Sequence, residues 1–389
     1  MMKKIKVLLA IVLVCSLAGC SGTTIYSNHS EAQEIGLIRT IGIDKTDGGV
    51  AVTTTTGVGL NMSPPNIYRQ EGKTLAEALR NLSSSSIGRQ MKFSHNENIL
   101  VSEDAVCELR DCLDYVARVP DMRLVTNIYI VRGGTAEDLI RGAASQKDDV
   151  TEMLSTIDHE ISGTGEGYVY DCRHLLIDLE YTDCCKILAI EGAENEELTE
   201  DSSEKMVKSA GYAISDGYEL LGFVTDRAAV GTSIMTEAMQ SRVLTVTTSD
   251  GTATLEVNGY ELKYSPEFDG GELKAVNIEL DAEAALLQVS DGMDMLSDGA
   301  RKRAEKALAD EILESVSSAI SLSCEMEKDF MDIGWEIEKA EPRKFREWGK
   351  WYEEFDTILY NIKVKAGITR SFDVEGSLEE KSNARFNGR

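Results

Sequence analysis

The residues best equipped for chemistry are few and poorly grouped. The 389-residue chain has four histidines, His29, His95, His159 and His174, and eight cysteines. Hydrolytic zinc chemistry needs protein ligands that converge on one metal and leave a position open. His159-Glu160 opens the helical pattern that would supply such ligands, but Gly163 stands where the second histidine belongs. Cys172, His174, Cys184 and Cys185 carry suitable donor atoms, yet their spacing fits no common zinc site. Nucleophilic catalysis needs a hydroxyl or thiol beside a base, and there is no Gly-x-Ser-x-Gly elbow. Phosphate binding needs a Walker A loop or a glycine-rich strand–helix turn. Gly163, Gly165 and Gly167 lack the preceding strand and the third-glycine spacing, so they read as a flexible loop. The Asp-Gly pairs lack calcium-loop spacing and read as turns. The expectation is therefore a non-enzymatic chain with no cofactor and no metal.

One cysteine has a different setting. Lys3, Lys4 and Lys6 precede an apolar run from Val7 to Gly19, too short to span a hydrocarbon core but right for a signal-peptide centre. Leu17-Ala18-Gly19-Cys20 resembles the lipobox of bacterial lipoproteins: small residues suit the peptidase, and the Cys20 thiol is the nucleophile that takes a diacylglyceryl group. Two acyl chains hold a protein stably on a membrane, at about 0.8 kcal/mol per buried CH₂. Residues 1–19 then form the signal peptide and 20–34 a polar, lipid-anchored tether. The six cysteines beyond Cys20 sit where disulfides are permitted. Cys107 and Cys112 do not share a helix face and Cys184 and Cys185 are adjacent, so buried free thiols are expected.

Composition narrows the classes further. Lys+Arg number 40 and Asp+Glu 67, a net charge of −27. Loss of residues 1–19 leaves 37 bases against 67 acids, or −30. Such acidity excludes nucleic-acid binding and electrostatic docking on an anionic membrane, both of which need clustered bases. Five prolines and a mean hydropathy of −0.20 exclude collagen-like and multi-span membrane chains. An apolar content of 42% is enough for a sizeable core.

The elements that would position any site follow from periodicity. Strands are expected at Ile35 to Ile43, Val50 to Val58, Asn98 to Val101, Leu124 to Val131 and Lys186 to Ile190. Thr74, with Glu77 three residues on, marks a helix through Leu75, Ala78, Leu79 and Leu82. Ser102 is expected to cap a helix through Val106, Leu109, Leu113 and Val116, and Gly133-Gly134-Thr135 to lead into one through Leu139 and Ile140. Residues 191–204 hold seven acids and no base and read as a solvated linker. Beyond it come a hairpin around Asp216-Gly217, a helix near Thr232 to Met239, and strands at Arg242 to Thr247, Thr252 to Tyr264 and Glu272 to Leu280. A long helix with the stripe Ala304, Leu308, Ile312, Val316 and Ala319 follows, then the strand Ile358 to Phe372. The aromatic run from Trp335 to Phe355 is expected in the core. The fold class is α+β, with a C-terminal domain built as a mostly antiparallel sheet packed with a long helix. The domain expectation is 35–192 as an N-terminal α/β-type domain, 193–207 as linker, 208–378 as the C-terminal domain and 379–389 as a polar tail.

These segments also resemble a family. Cys20, Ile41-Gly42-Ile43-Asp44-Lys45, Glu71-Gly72-Lys73-Thr74-Leu75, Phe93-Ser94-His95 and Leu100-Val101 are similar to the N-terminal domain of the Ger(x)C spore germination lipoproteins. Arg118, Pro120, Met122 and Arg123, and then Asp332-Ile333-Gly334, Lys344 and Trp348 through Trp351 to Phe355, resemble its later blocks. The chain departs from the family at Ser21-Gly22, where Trp-Asp is common. The resemblance implies the C subunit of a nutrient germinant receptor, on the outer side of the spore inner membrane beside A and B membrane subunits. Asp44, His95, Arg118, Arg123, Trp348 and Trp351 are then motif residues with structural roles, and His95 reads as a capped or hydrogen-bonded histidine at a strand start. A solute-binding lipoprotein with two α/β lobes is the competing reading.

Overall fold

The structure is a computed structural model that describes residues 35–56, 66–85, 90–145, 149–194, 205–289, 293, 295 and 297–371. Cys20, the tether and the polar tail lie outside them.

The first sheet is nine-stranded. β1 (Ile35–Thr46), β2 (Gly49–Thr56) and β3 (Ile67–Gly72) form an antiparallel meander. Helix α1 (Leu75–Ser85) follows, and its start is fixed as expected: the Thr74 hydroxyl accepts from the Glu77 amide at 3.2 Å, and the Glu77 carboxylate accepts from the Lys73 amide at 2.9 Å. β4 (Gln90–Lys92) and β5 (Asn98–Ser102) both lie parallel to β1. A 3₁₀ turn over Glu103–Glu108 leads into α2 (Leu109–Arg118), and β6 (Asn127–Val131) lies parallel to β5. Helices α3 (Ala136–Ser145), α4 (Val150–Thr164) and α5 (Cys172–Tyr181) precede β7 (Cys185–Glu194), parallel to β6. Strands β5 to β7 alternate between two cores. Ile99, Ile128, Ile130, Ile187 and Ala189 face α1, α2 and α5 in one, while Leu100, Tyr129, Val131, Leu188 and Ile190 face α3 and α4 in the other.

Several expectations change here. Leu124 and Val125 are exposed turn residues rather than strand, because the chain between Pro120 and Asn127 is a run of turns. Ser102 makes no cap; its hydroxyl donates to the Ile43 carbonyl. Gly163 lies inside α4 and Gly165 is its left-handed C-cap at φ 68°, so the expected flexible loop is a helix end. Helices α4 and α5, not foreseen, are capped by Asp149 and Asp171, whose carboxylates accept from the Thr151 and His174 amides.

The expected linker is not where the sheet ends. β8 (Lys205–Ser215) pairs antiparallel with β7 out to Glu194↔Lys205, and β9 (Leu220–Val224) pairs with β8. The hairpin expected to open a second domain therefore completes the first sheet. Its like charges are moderated on the strands themselves, where Lys208 pairs with Glu191 at 2.9 Å.

α6 (Asp226–Met235) then enters the interior. All eight residues from Ala228 to Met235 are buried, so it has no polar face to give a periodic signal, and it starts six residues before the expected Thr232. The second sheet runs β10 (Arg242–Thr248), β11 (Gly251–Asp269), β12 (Glu272–Val289) and β13 (Leu359–Ser371). The first two pairings are antiparallel and β12–β13 is parallel. α7 (Asp298–Met326) crosses α6, and its stripe of Ala304, Leu308, Ile312, Val316 and Ala319 is buried as expected. Short helices α8 (Ile333–Ala340), α9 (Pro342–Trp348) and α10 (Trp351–Glu354) lead back to β13. One continuous core joins the two sheets, from Ile187 and Tyr212 to Val316 and Trp351. The α+β class stands, with a long helix on a mostly antiparallel C-terminal sheet.

Candidate functional site

Where the first sheet's helices meet the second sheet, a cleft of about 430 Å³ opens. Its walls come from α5, the end of α6, β11 and α8, with Tyr352 of α10 at the rim. Behind Asp178 and Asp332 of its wall lies a buried charge network. Lys186, at the start of β7, donates to Asp332 at 2.7 Å, lies 3.6 Å from Asp178 of α5, and stands 5.2 Å from the Tyr170 ring centre. Burial opposes the Lys186 charge, but Asp332, Tyr170 and Asp178 outweigh it and hold the ammonium above the ordinary lysine range. Asp332 reaches this position in the left-handed conformation, φ 60°.

Beside it, Asp329 is buried and organises the start of α8. Its carboxylate accepts from the Ile333 amide at 3.1 Å, the Gly334 amide at 2.8 Å and the Trp351 indole at 2.9 Å. Burial, with Asp332 nearby, raises its pKa to about 6 against these three donors. Gly334 is required here, because a Cβ would overlap the Trp351 indole. The Tyr352 hydroxyl donates to the Tyr181 carbonyl at 2.5 Å, and the Tyr264 hydroxyl to the Met235 carbonyl at 3.3 Å. Each bond ties one half of the chain to the other or to the cleft wall.

The motif residues expected from sequence are dispersed. Asp44 is buried at the N-terminus of α3, accepting from Ala136 at 2.7 Å and Glu137 at 2.9 Å, so it occupies the helix start that the Gly133-Gly134 turn presents. Glu103 accepts from the Gly133 amide at 2.6 Å in the same turn. His95 is exposed in the turn between β4 and β5, with no side-chain hydrogen bond among the described residues, contrary to the bonded histidine expected. Arg118 is an exposed residue that donates to Asp114 at 2.7 Å, one turn back on α2. Arg123 is exposed in the turns before β6. Trp348 and Trp351 are buried; Trp348 donates to Glu272 at 3.2 Å, and Trp351 donates to Asp329. Only Trp351 belongs to the cleft's framework.

The aromatic run is divided rather than wholly core: Trp348, Trp351 and Phe355 are buried, whereas Trp335 and Tyr352 are exposed at the cleft. Cys112, Cys172, Cys184 and Cys185 are buried, and desolvation pushes the Cys112 thiol up to about 12. His174 lies on the surface with Nδ1 2.7 Å from Asp171, away from a shared position with those thiols. Among the described residues no cluster of three or more His, Cys, Asp or Glu is arranged to hold a metal.

Comparison with known proteins gives these features a class. Residues 28–190 match the family model described as spore germination protein N-terminal domain, and residues 210–372 match spore germination B3/GerAC like, C-terminal. In sequence order the two account for most of the chain. It belongs to the Ger(x)C spore germination family. Among solved structures, the crystal structure of the GerBC protein is similar in fold, with a TM-score of 0.55 at 16% identity, covering 85% of this chain and 97% of that one. No curated protein matches.

Proposed function

We propose that this chain is the lipid-anchored, non-enzymatic C subunit of a nutrient germinant receptor. It works beside A and B membrane subunits on the outer side of the spore inner membrane. The observation that carries the reading is the consecutive match of both Ger(x)C family domains behind a Leu17-Ala18-Gly19-Cys20 lipobox. Attachment is assigned to acyl chains on Cys20 because it closes the lipobox; no helix among the described residues is long and apolar enough to cross a membrane. The unlike builds of the two sheets do not favour the paired α/β lobes of a solute-binding lipoprotein. Cys20→Ala should move the protein from the membrane fraction to the soluble fraction and impair nutrient-triggered germination. Unchanged membrane retention would overturn the anchor, and normal germination after release would overturn the receptor role.

A further inference from the structure

The cleft above Lys186 has a composition that its structural role does not explain. Eleven large hydrophobic side chains are exposed among the described residues. Four of them line this one opening: Ile177 at 48%, Tyr181 at 65%, Trp335 at 49% and Tyr352 at 50%. Exposed apolar surface gathered in a concavity is a mark of ligand binding, and about 430 Å³ is the scale of a small-molecule site.

Its charge is one-sided. Asp178, Glu237, Asp329, Asp332, Glu336 and Glu338 line it, against Lys339 alone. Several acids are already engaged: Asp332 with Lys186, Glu336 with Lys339 at 2.7 Å and Glu338 with Arg346 at 2.6 Å. Asp178 is paired with Lys186 at 3.6 Å. Glu237 is exposed at the lip with no ion pair among the described residues. The chain also displays the contact that such a site would use. The Lys339 ammonium lies 5.7 Å from the centre of the Trp335 ring while pairing with Glu336, a cation held by an aromatic face and a carboxylate together.

We propose that this cleft binds a small solute carrying a guanidinium or ammonium group on a short apolar stem. The stem lies against Tyr181, Trp335 and Tyr352, and the cation faces Glu237. Small size follows from the volume, and positive charge from the excess of acids over bases in the lining and from the unpaired Glu237. Neither argument depends on the receptor assignment.

Calorimetric titration of the full chain in detergent, at fixed ionic strength, tests this with butylguanidinium and its neutral isostere butylurea. Butylguanidinium should bind with a Kd on the order of 1 mM, as expected of so small a ligand. Butylurea should bind at least about tenfold more weakly, the loss of a charge-assisted contact. Glu237→Gln and Trp335→Leu, both at exposed positions, should each weaken butylguanidinium roughly threefold to thirtyfold while leaving the melting temperature unchanged. Lys339→Gln should strengthen it. Trp335 is the exposed member of the three tryptophans, so binding should also change indole fluorescence in the wild type. Equal binding of the two probes, or wild-type affinity in both weakening variants, would overturn the proposal. A capped Gly-Arg-Gly tripeptide binding more than about tenfold tighter than butylguanidinium would also overturn it, by assigning the cleft to a partner polypeptide.

Discussion

Asp329 shows how one buried carboxylate can set the pH response of a junction. Its folded pKa, about 6, exceeds the ordinary 3.8. The folded state therefore holds the proton more tightly, and the group's stabilising contribution is fully present below pH 3.8 and lost as pH rises through about 6. The loss is on the order of 3 kcal/mol for a shift of this size in a buried group. Asp329→Asn should remove that slope: the stability gap between wild type and variant, read from urea unfolding at several pH values, should narrow as pH rises from 4 to 6. A gap independent of pH would contradict the assignment. At this scale the sequence was a partial guide. The family motif includes Trp351 and Asp332, but Asp329, which accepts from the Trp351 indole and the Ile333 and Gly334 amides, lies outside it. Its spacing of one helical turn before Ile333 was the available signal. In the sequence Lys186 is only the first residue of an apolar strand. A lone lysine in such a run calls for a buried partner, but one sequence cannot say that the partner lies 146 residues away.

Helices and strands were most legible where one face is dry and the other wet. The α7 stripe and the Thr74 start of α1 were read correctly for that reason. α6 was not, because burial on every side leaves amphipathic periodicity nothing to report. α4 is legible in principle, since Val150, Leu154, Ile157 and Ile161 share a stripe behind the Asp149 cap. The same closeness that hides α6 also makes a prediction. Gly231 packs so tightly on α7 that a Cβ would overlap the Ser315 carbonyl oxygen. Gly231→Ala should gain up to about 1 kcal/mol of helix propensity and yet destabilise the protein by roughly 1–3 kcal/mol through overpacking. Thermal unfolding of the purified variant checks the sign, and a raised melting temperature would show that the helices separate freely.

At the scale of the molecule, the two sheets are joined by both a core and a charge. Lys186→Met removes the cation from between Asp332 and Asp178. Breaking a buried pair costs roughly 3–5 kcal/mol, and the lower end applies because Asp332 keeps 32% side-chain exposure. Adding Asp178→Asn and Asp332→Asn to the same variant should restore part of the loss, since the stranded charges then disappear. Denaturant midpoints measure both steps, and a first step below about 1 kcal/mol would mean that the network is not holding the halves together. The acidic stretch was legible as composition but not as topology, because charge reports solvation and not strand pairing. That pairing has a further meaning. From Cys185↔Ser215 to Glu194↔Lys205, the strands on either side of the stretch are zipped to each other. A protease that cleaved anywhere between Glu194 and Lys205 would produce two chains on a denaturing gel and still one particle in solution. The covalent link at that point is the least of the bonds that make this protein a single object.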